Sequence, residues 1–145
     1  MYFNQKNNFY HGIMFHHFHD GKKHLKGQGS ITKDEFYKIL NFIGIKNILN
    51  ADIFFEKSKN NKLKDNEVCI TFDDSVKCQI DIALPVLEDL KIKSFFFVYT
   101  SIFEGKPDYL ELFRYFRMNY FENINEFYRE FYEILDEDLD NFFLK

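Results

Sequence analysis

The segment that most constrains the fold is a short apolar run that ends in two adjacent carboxylates. Val68–Phe72 is rich in β-branched and aromatic residues, which is typical of a buried strand. Asp73 and Asp74 follow it directly, and a helical pattern then extends from Val76 to Leu90. A strand, a turn and a helix in this order predict a parallel α/β fold, in which catalytic groups gather at the carboxyl ends of the strands.

The acid pair has two interpretations. Successive side chains on a strand point to opposite faces, so both carboxylates reach one site only if the backbone turns at or just after them. The predicted strand stops there, which makes such a turn available. Alternatively, Asp74 or Ser75 simply caps the helix by accepting hydrogen bonds from its free N–H groups. Caps are far commoner than catalytic sites, so these residues taken alone favour the cap.

Strands and helices are predicted to alternate along the chain. Thr32 and Glu35 form a capping box that begins a helix, and Gly44 is a plausible end for that helix. Pro85 should kink the helix that contains it. The other predicted elements are a buried strand Gly12–Phe18, a short strand at 47–49 followed by a brief helix, a strand Ser94–Tyr99 covered on both faces, a helix that begins at Pro107 and Asp108, and an amphipathic helix Asn125–Lys145.

Several segments in a consistent order carry a resemblance to a known family. Ile70–Asp74 resembles the Thr-Phe-Asp-Asp-Gly motif of the polysaccharide deacetylases, the NodB-like carbohydrate esterases. Other segments resemble the first strand of that family, its first helix, its Leu-Pro helix and the strand after it; these are Gly12–His17, Ile31–Phe36, Ala83–Leu87 and Ile92–Val98. Each segment is short, but the ordered set is fairly specific.

The resemblance implies a fold, an activity and a set of site residues. The fold is expected to be α/β, the N-terminal part of a distorted (β/α) barrel of the NodB type. The activity is expected to be metal-dependent hydrolysis of an acetyl group, mainly N-acetyl, on an amino sugar or polysaccharide. By resemblance, Asp73 is the catalytic base, Asp74 is a ligand of a divalent metal, with zinc expected, and His16 orients the substrate or Asp73. The implied partner is a carbohydrate.

The chain departs from the family pattern in two respects. Ser75 stands where the family has glycine, which tolerates positive φ better. The family also uses a later His-x-x-x-His pair as metal ligands and a distal catalytic histidine. All five histidines here precede Asp73; they are His11, His16, His17, His19 and His24. The metal site that the resemblance implies is therefore incomplete in this sequence.

Length supports the same interpretation. A complete barrel needs ~250 residues, whereas this chain has 145. We expect one truncated deacetylase-like domain over residues 1–145 that tends to self-associate because a strand edge is left open. The acidic amphipathic helix over 121–145 could be an insertion covering the barrel or a partner-binding helix, although an apolar stripe that faces the core is the default interpretation. The alternative function is a non-catalytic, degenerate relative that keeps Asp73 and Asp74 as caps and acts as a binding or partner module.

Two other patterns suggest hypotheses of their own. His17 and His19 would lie on one face of an extended strand and could begin a separate zinc site. Catalytic zinc usually has three protein ligands, so solvated histidines at a strand end are the simpler interpretation. Gly27-x-Gly29-Ser30 lacks the lysine of a phosphate-binding loop, and we interpret it as a turn.

Composition excludes several other classes. The net charge is −4 and the basic residues are dispersed, so a nucleic-acid surface is not expected. No stretch approaches the roughly 18 apolar residues of a membrane span. Met1–His11 lacks the apolar region of a signal peptide, so we expect a cytoplasmic protein. Cys69 and Cys78 are expected to be free thiols.

Overall fold

The computed structural model of the chain describes residues 11–27 and 29–142. The expected absence of a signal peptide concerns residues 1–10, which lie outside this range, as do residues 143–145 of the predicted C-terminal helix. The chain divides into two compact units, unit 1 up to Tyr99 and unit 2 from Thr100. The expectation of a single domain stays a prediction.

Unit 1 contains a parallel sheet of three strands. The strands are β1 (His11–Phe15), β2 (Val68–Phe72) and β3 (Phe95–Phe96), and their order in the sheet is β1-β2-β3. His11 pairs with Val68 and Phe15 with Phe72, so β1 and β2 end at the same level. The predicted α/β class with a parallel sheet is confirmed. This register places the residue after β2 at the edge of the sheet where parallel strands end.

Helices of unit 1 begin and end largely where the sequence indicates. They are α1 (Lys33–Ile43), α2 (Ala51–Lys59) and a helix over residues 77–89. The predicted capping box is present, because the Glu35 N–H donates to the Thr32 hydroxyl at 3.2 Å and the Thr32 N–H donates to the Glu35 carboxylate at 2.7 Å. Gly44 ends α1 with a φ of +87°, a conformation that glycine adopts without strain.

Four phenylalanines form the centre of the core in unit 1. Phe36 on α1 and Phe72 on β2 are completely buried. The Phe36 ring meets Phe15 edge-on at 4.9 Å between centroids and Phe18 edge-on at 5.1 Å. Edge-to-face pairs of this kind stabilise a core beyond the burial of their surface. Cys69 and Cys78 are thiols rather than a disulfide, as predicted, and both are buried.

Three predicted strands are shorter in the structure or take another form. β1 ends at Phe15, and Phe18 makes only an isolated bridge to Ile31. The expected strand at 47–49 is a 3₁₀ turn with one bridge from Ile48 to Val68. The expected strand Ser94–Tyr99 retains only Phe95–Phe96, because β3 lies at the edge of the sheet, and Phe97 is 55% exposed. The prediction that this strand is covered on both faces is wrong.

The helix after the acid pair departs from α geometry before its proline. Gln79–Ala83 is a π-helical turn, and Leu84–Asp89 continues as α3. The Leu84 N–H donates to the carbonyl of Gln79, five residues back. Pro85 has no N–H, and its ring would crowd the carbonyl four residues before it in a regular α-helix. The distortion expected at Pro85 therefore occurs as the wider, π-helical turn that precedes the proline.

Unit 2 is built from a 3₁₀ turn, Thr100–Glu104, and two helices, α4 (Tyr109–Tyr120) and α5 (Ile124–Phe142). The predicted helix start near Pro107 and Asp108 is confirmed; Asp108 is the cap of α4, since its carboxylate accepts the Glu111 N–H at 3.1 Å. The rings around Phe127 form the seam of this unit; they are Phe113, Phe121 and Phe131. None of the helices in the described ranges combines the length and the hydropathy needed to cross a bilayer.

Candidate active site

An open pocket of about 440 Å³ lies at the carboxyl end of the sheet in unit 1. Asp73 and Asp74, the first residues after β2, both line it. The other lining residues are Met14, Thr71, Phe97, Val98 and Tyr99. The two adjacent acids therefore share one pocket, although neighbours on an uninterrupted strand would point apart.

A left-handed turn of the backbone makes this arrangement possible. Asp74 has a φ of +71° and Ser75 a φ of +53°, a region that costs free energy for residues other than glycine. The Ser75 hydroxyl donates to the carbonyl of Phe97 at 3.1 Å, which ties the turn to the segment after β3. Serine thus occupies a left-handed conformation that glycine would adopt without strain, and its hydroxyl is directed to the segment after β3 rather than to the helix.

The backbone of Asp73 is hydrogen-bonded at both ends. Its N–H donates to the carbonyl of Phe15 at 3.3 Å, which extends the pairing of β1 with β2 by one residue. Its carbonyl accepts a hydrogen bond from the side-chain amide of Gln79. These contacts fix the main chain and direct the Asp73 carboxylate into the pocket, where it can exchange a proton with a bound molecule.

His16 lies beside the acid pair. Its Nε2 is 4.0 Å from the Oδ2 of Asp74, within the range of an ion pair but longer than a hydrogen bond. The carbonyl of His16 accepts a hydrogen bond of 2.9 Å from the Gln79 amide, which also binds the carbonyl of Asp73. The structure thus places the imidazole next to Asp74 and links His16 to Asp73 through the main chain.

Gln79 is a site-forming residue that the sequence reasoning missed. It is only 1% exposed, yet it carries a polar side chain at the start of the helix. A signal was present in the sequence. Ile82 and Val86 form part of the apolar stripe of that helix, and Gln79 precedes them by three and seven residues, which places it on the same face. A polar residue on a core-facing stripe indicates a specific hydrogen-bonding task.

Comparison with known families agrees with this geometry. Residues 60–123 match the family model of the polysaccharide deacetylases, a range that contains β2, the acid pair and Gln79. The match covers 64 of the 145 residues, so this part of the chain is similar to the polysaccharide deacetylases. The predicted resemblance to this family is confirmed.

A solved deacetylase is similar in fold over part of its length. The Streptococcus pyogenes deacetylase PplD, determined in complex with acetate, matches with a TM-score of 0.50 and 22% sequence identity over 68% of this chain. The match covers 46% of PplD, so this chain spans less than half of that deacetylase. The comparison with curated proteins finds no match.

Among the described side chains, those of His17, His19 and His24 do not line the pocket. The His16 and His17 rings are parallel, with centroids 6.5 Å apart. The Nδ1 of His19 lies 3.0 Å from the hydroxyl of Ser30. Because β1 ends before these residues, the alternation expected to place His17 and His19 on one face does not extend to them. Gly29 lies in a turn, and the Ser30 N–H donates to the Gly27 carbonyl at 3.1 Å.

A second charged cluster surrounds Asp81 on the helix after the deacetylase motif. Lys23 Nζ and His24 Nε2 approach the Asp81 carboxylate at 2.6 and 2.9 Å. The hydrogen bond from Lys23, and then that from His24, hold the pKa of Asp81 below its ordinary value. This cluster fastens the 20–24 loop to the helix.

The donor set of the pocket is too small for a complete metal centre. Asp74 and His16 are the two donors whose side chains approach each other there. Within residues 11–27 and 29–142, no three side chains of His, Cys, Asp or Glu lie close enough together to hold a metal ion. A catalytic zinc usually has three protein ligands. The described residues therefore do not fit the metal site of the deacetylase family on their own.

Proposed function

We propose that the pocket at the end of β2 removes an acetyl group from an N-acetylated sugar or polysaccharide by hydrolysis of the C–N amide bond. The observation that carries the proposal is the placement of Asp73 and Asp74 in one pocket beside His16, within a segment that matches the deacetylase family. We further propose that the parallel sheet is the opening part of a NodB-type barrel.

Asp73 is the proposed general base. Its main chain is fixed on both sides and its carboxylate lines the pocket. The carboxylate takes a proton from a water molecule as the water oxygen attacks the acetyl carbon. The C–N bond then breaks as the departing nitrogen takes that proton back from the Asp73 carboxyl group, and acetic acid, which ionises to acetate, and the free amine leave. Holding the base in place before the reaction reduces the entropy lost on reaching the transition state.

Asp74 and His16 are the proposed contributors to metal binding. The family resemblance implies a divalent ion, with zinc expected, and carboxylate and imidazole are suitable donors. The two groups lie 4.0 Å apart, so one ion could contact both. Because the described residues offer no third donor, we expect zinc to bind weakly unless further ligands are supplied. The catalytic steps proposed here are carried out by the Asp73 side chain.

The pocket walls suit a carbohydrate. Phe97 and Tyr99 are about half exposed, and Met14 and Val98 add apolar surface beside them. The C–H faces of pyranose rings pack well on aromatic and apolar surface, while the carboxylates can accept hydrogen bonds from sugar hydroxyls. This combination of an apolar wall and two acids supports a sugar as the molecule that presents its acetyl group to Asp73.

A non-catalytic binding module is the second candidate function. It is favoured by the shortage of metal donors among the described residues. In that case the same pocket would bind an acetylated sugar without cleaving it.

Acetate release from N-acetylglucosamine oligomers, with added zinc, tests the proposal. The protein should release acetate, and Asp73→Asn should reduce turnover by about 10²–10⁴-fold, as expected for loss of a general base. Asp65→Asn is the matched control, because Asp65 is an exposed acid on the loop before β2. Binding of the oligomers without acetate release from either N- or O-acetylated sugars would support the binding module and contradict the hydrolase.

A further inference from the structure

Gln79 connects the two segments that carry the site. Its side-chain nitrogen donates to the carbonyl of His16, in the segment after β1, and to the carbonyl of Asp73, in the segment after β2. The side chain is 1% exposed, so neither hydrogen bond competes with bulk water. One buried amide therefore holds together the backbones of the proposed base and of the neighbouring imidazole.

The chemistry of the partners fixes the orientation of this amide. Both partners are carbonyl oxygens, which only accept, so the NH₂ group must face them and Oε1 must point away. Oε1 is buried and has no hydrogen-bond partner within the described residues. A buried acceptor without a partner is unfavourable, and a methionine or leucine of similar size would avoid that cost. Core packing alone therefore does not explain a glutamine at this position.

We propose that Gln79 is a positioning residue of the deacetylase site. By binding both carbonyls it sets the spacing between His16 and the acid pair, and so the direction of the Asp73 carboxylate in the pocket. Gln79 is also the first residue of the π-helical turn, a feature that recurs at functional sites. The inference rests on the proposed function, because it assigns a role within that site.

Two variants of similar length remove the bridge in different ways. Gln79→Glu presents an acceptor to two acceptors, and Gln79→Met removes both donors. Each should lower kcat for acetate release by roughly 10- to 100-fold with KM little changed, because small misplacements of reacting groups have effects of that size. Ile82→Val is the control, since Ile82 lies on the same buried stripe. It should lower the melting temperature but leave kcat at the parental value.

A structural readout keeps the test independent of activity. The amide ¹⁵N signals of His17 and Asp74 report on the peptide groups whose carbonyls Gln79 binds. They should shift in Gln79→Met, which lacks the donors, and stay in place in Ile82→Val. A parent that releases no acetate would overturn the deacetylase proposal. Unchanged signals in Gln79→Met, or a kcat loss no larger than in Ile82→Val at equal loss of melting temperature, would overturn the positioning role.

Discussion

Unit 1 and unit 2 both contain many phenylalanine rings, but they bury these rings to different extents. In unit 1, a sheet and helices cover Phe18, Phe36 and Phe72 almost completely. In unit 2, Phe127 is the only buried residue among residues 100–135, and most of the other rings there stay partly or largely exposed. Aromatic content alone therefore does not produce a core. A sheet with a covering helix buries a ring on all sides, whereas two helices bury only what lies along their shared seam.

The difference matters for the position of the candidate site. The pocket and its acid pair lie in unit 1, at the end of a strand whose backbone is paired on both sides. Groups held on such a scaffold keep their geometry better than groups on exposed loops. Substitutions in each unit can therefore test both the contrast between the units and the link between core and site.

Removing a core ring should have the largest effect on stability. Phe36→Ala deletes a ring that contacts Phe15 and Phe18 and has no exposed surface. We expect it to lower the free energy of unfolding by about 3–5 kcal/mol, the range for buried aromatic truncations. Chemical denaturation followed by far-ultraviolet circular dichroism measures this loss.

The corresponding change in unit 2 is the comparison. Phe127→Ala removes the ring that Phe113, Phe121 and Phe131 contact. It should reduce the helix content of the protein. The stability of unit 1, measured as the hydrogen-exchange protection of the β1 and β2 amides, should not fall. Equal protection losses in β1 and β2 for the two variants would show that the two units do not differ in this way.

Introducing glycine at the turn after the acid pair should have a smaller, opposite effect. Ser75 has a φ of +53°, and relief of a left-handed conformation is worth about 1–2 kcal/mol for a residue with a Cβ. Loss of its hydrogen bond to the Phe97 carbonyl offsets roughly 0.5–1.5 kcal/mol of that gain. Ser75→Gly should therefore be slightly stabilising, and Ser75→Ala, which keeps the Cβ and loses the hydroxyl, destabilising. A lower melting temperature for Ser75→Gly than for the parent would show that backbone strain at this turn is not the larger of the two effects.

Lowering the pH should destabilise unit 1, and this is the smallest of the expected effects on stability. Four carboxyl groups there have a pKa below the ordinary value, through backbone N–H donors or a lysine; they are Asp20, Glu35, Glu67 and Asp81. Because their folded pKa values are depressed, the unfolded chain binds more protons in acid. The stabilisation is complete above the ordinary values of 3.8 and 4.5 and is lost as pH falls through the folded values.

Thermal unfolding between about pH 6 and about pH 3 measures this effect. Glu67→Gln removes the carboxylate that Lys57 and the Lys64 N–H stabilise, so its midpoint should depend less on pH over this interval. A midpoint that rises on acidification would contradict the expected sign.

Local sequence patterns predicted those parts of the fold that depend on residues close together along the chain. The β-branched run before Asp73 indicated β2, and Thr32 with Glu35 indicated the start of α1. Parallel pairing also followed, since a strand, a helix and a strand in succession favour it. The acid pair was visible because it interrupts an apolar run at the end of a strand.

Other features depend on contacts that sequence patterns do not record. The apolar residues Phe97 and Val98 resemble a covered strand, but coverage is a property of what packs against them. Gln79 meets His16 across 63 residues of chain, so its task is visible only once the fold brings the two together. A turn after the acid pair was expected, but its left-handed conformation at Ser75 was not, because serine gives no signal of its own for positive φ.

The most direct test of the central claim measures stability and turnover together on Asp73→Asn and Asp74→Asn. If the acids form a catalytic site, Asp73→Asn should lose about 10²–10⁴-fold in acetate release at an unchanged unfolding midpoint. Asp74→Asn should bind zinc more weakly than the parent in an isothermal titration and regain part of its activity with added metal. If both variants keep parental turnover while Asp73→Ala and Asp74→Ala lower the unfolding free energy by about 0.5–2 kcal/mol, as for a lost helix cap, the acids are structural and the deacetylase assignment of this pocket is wrong.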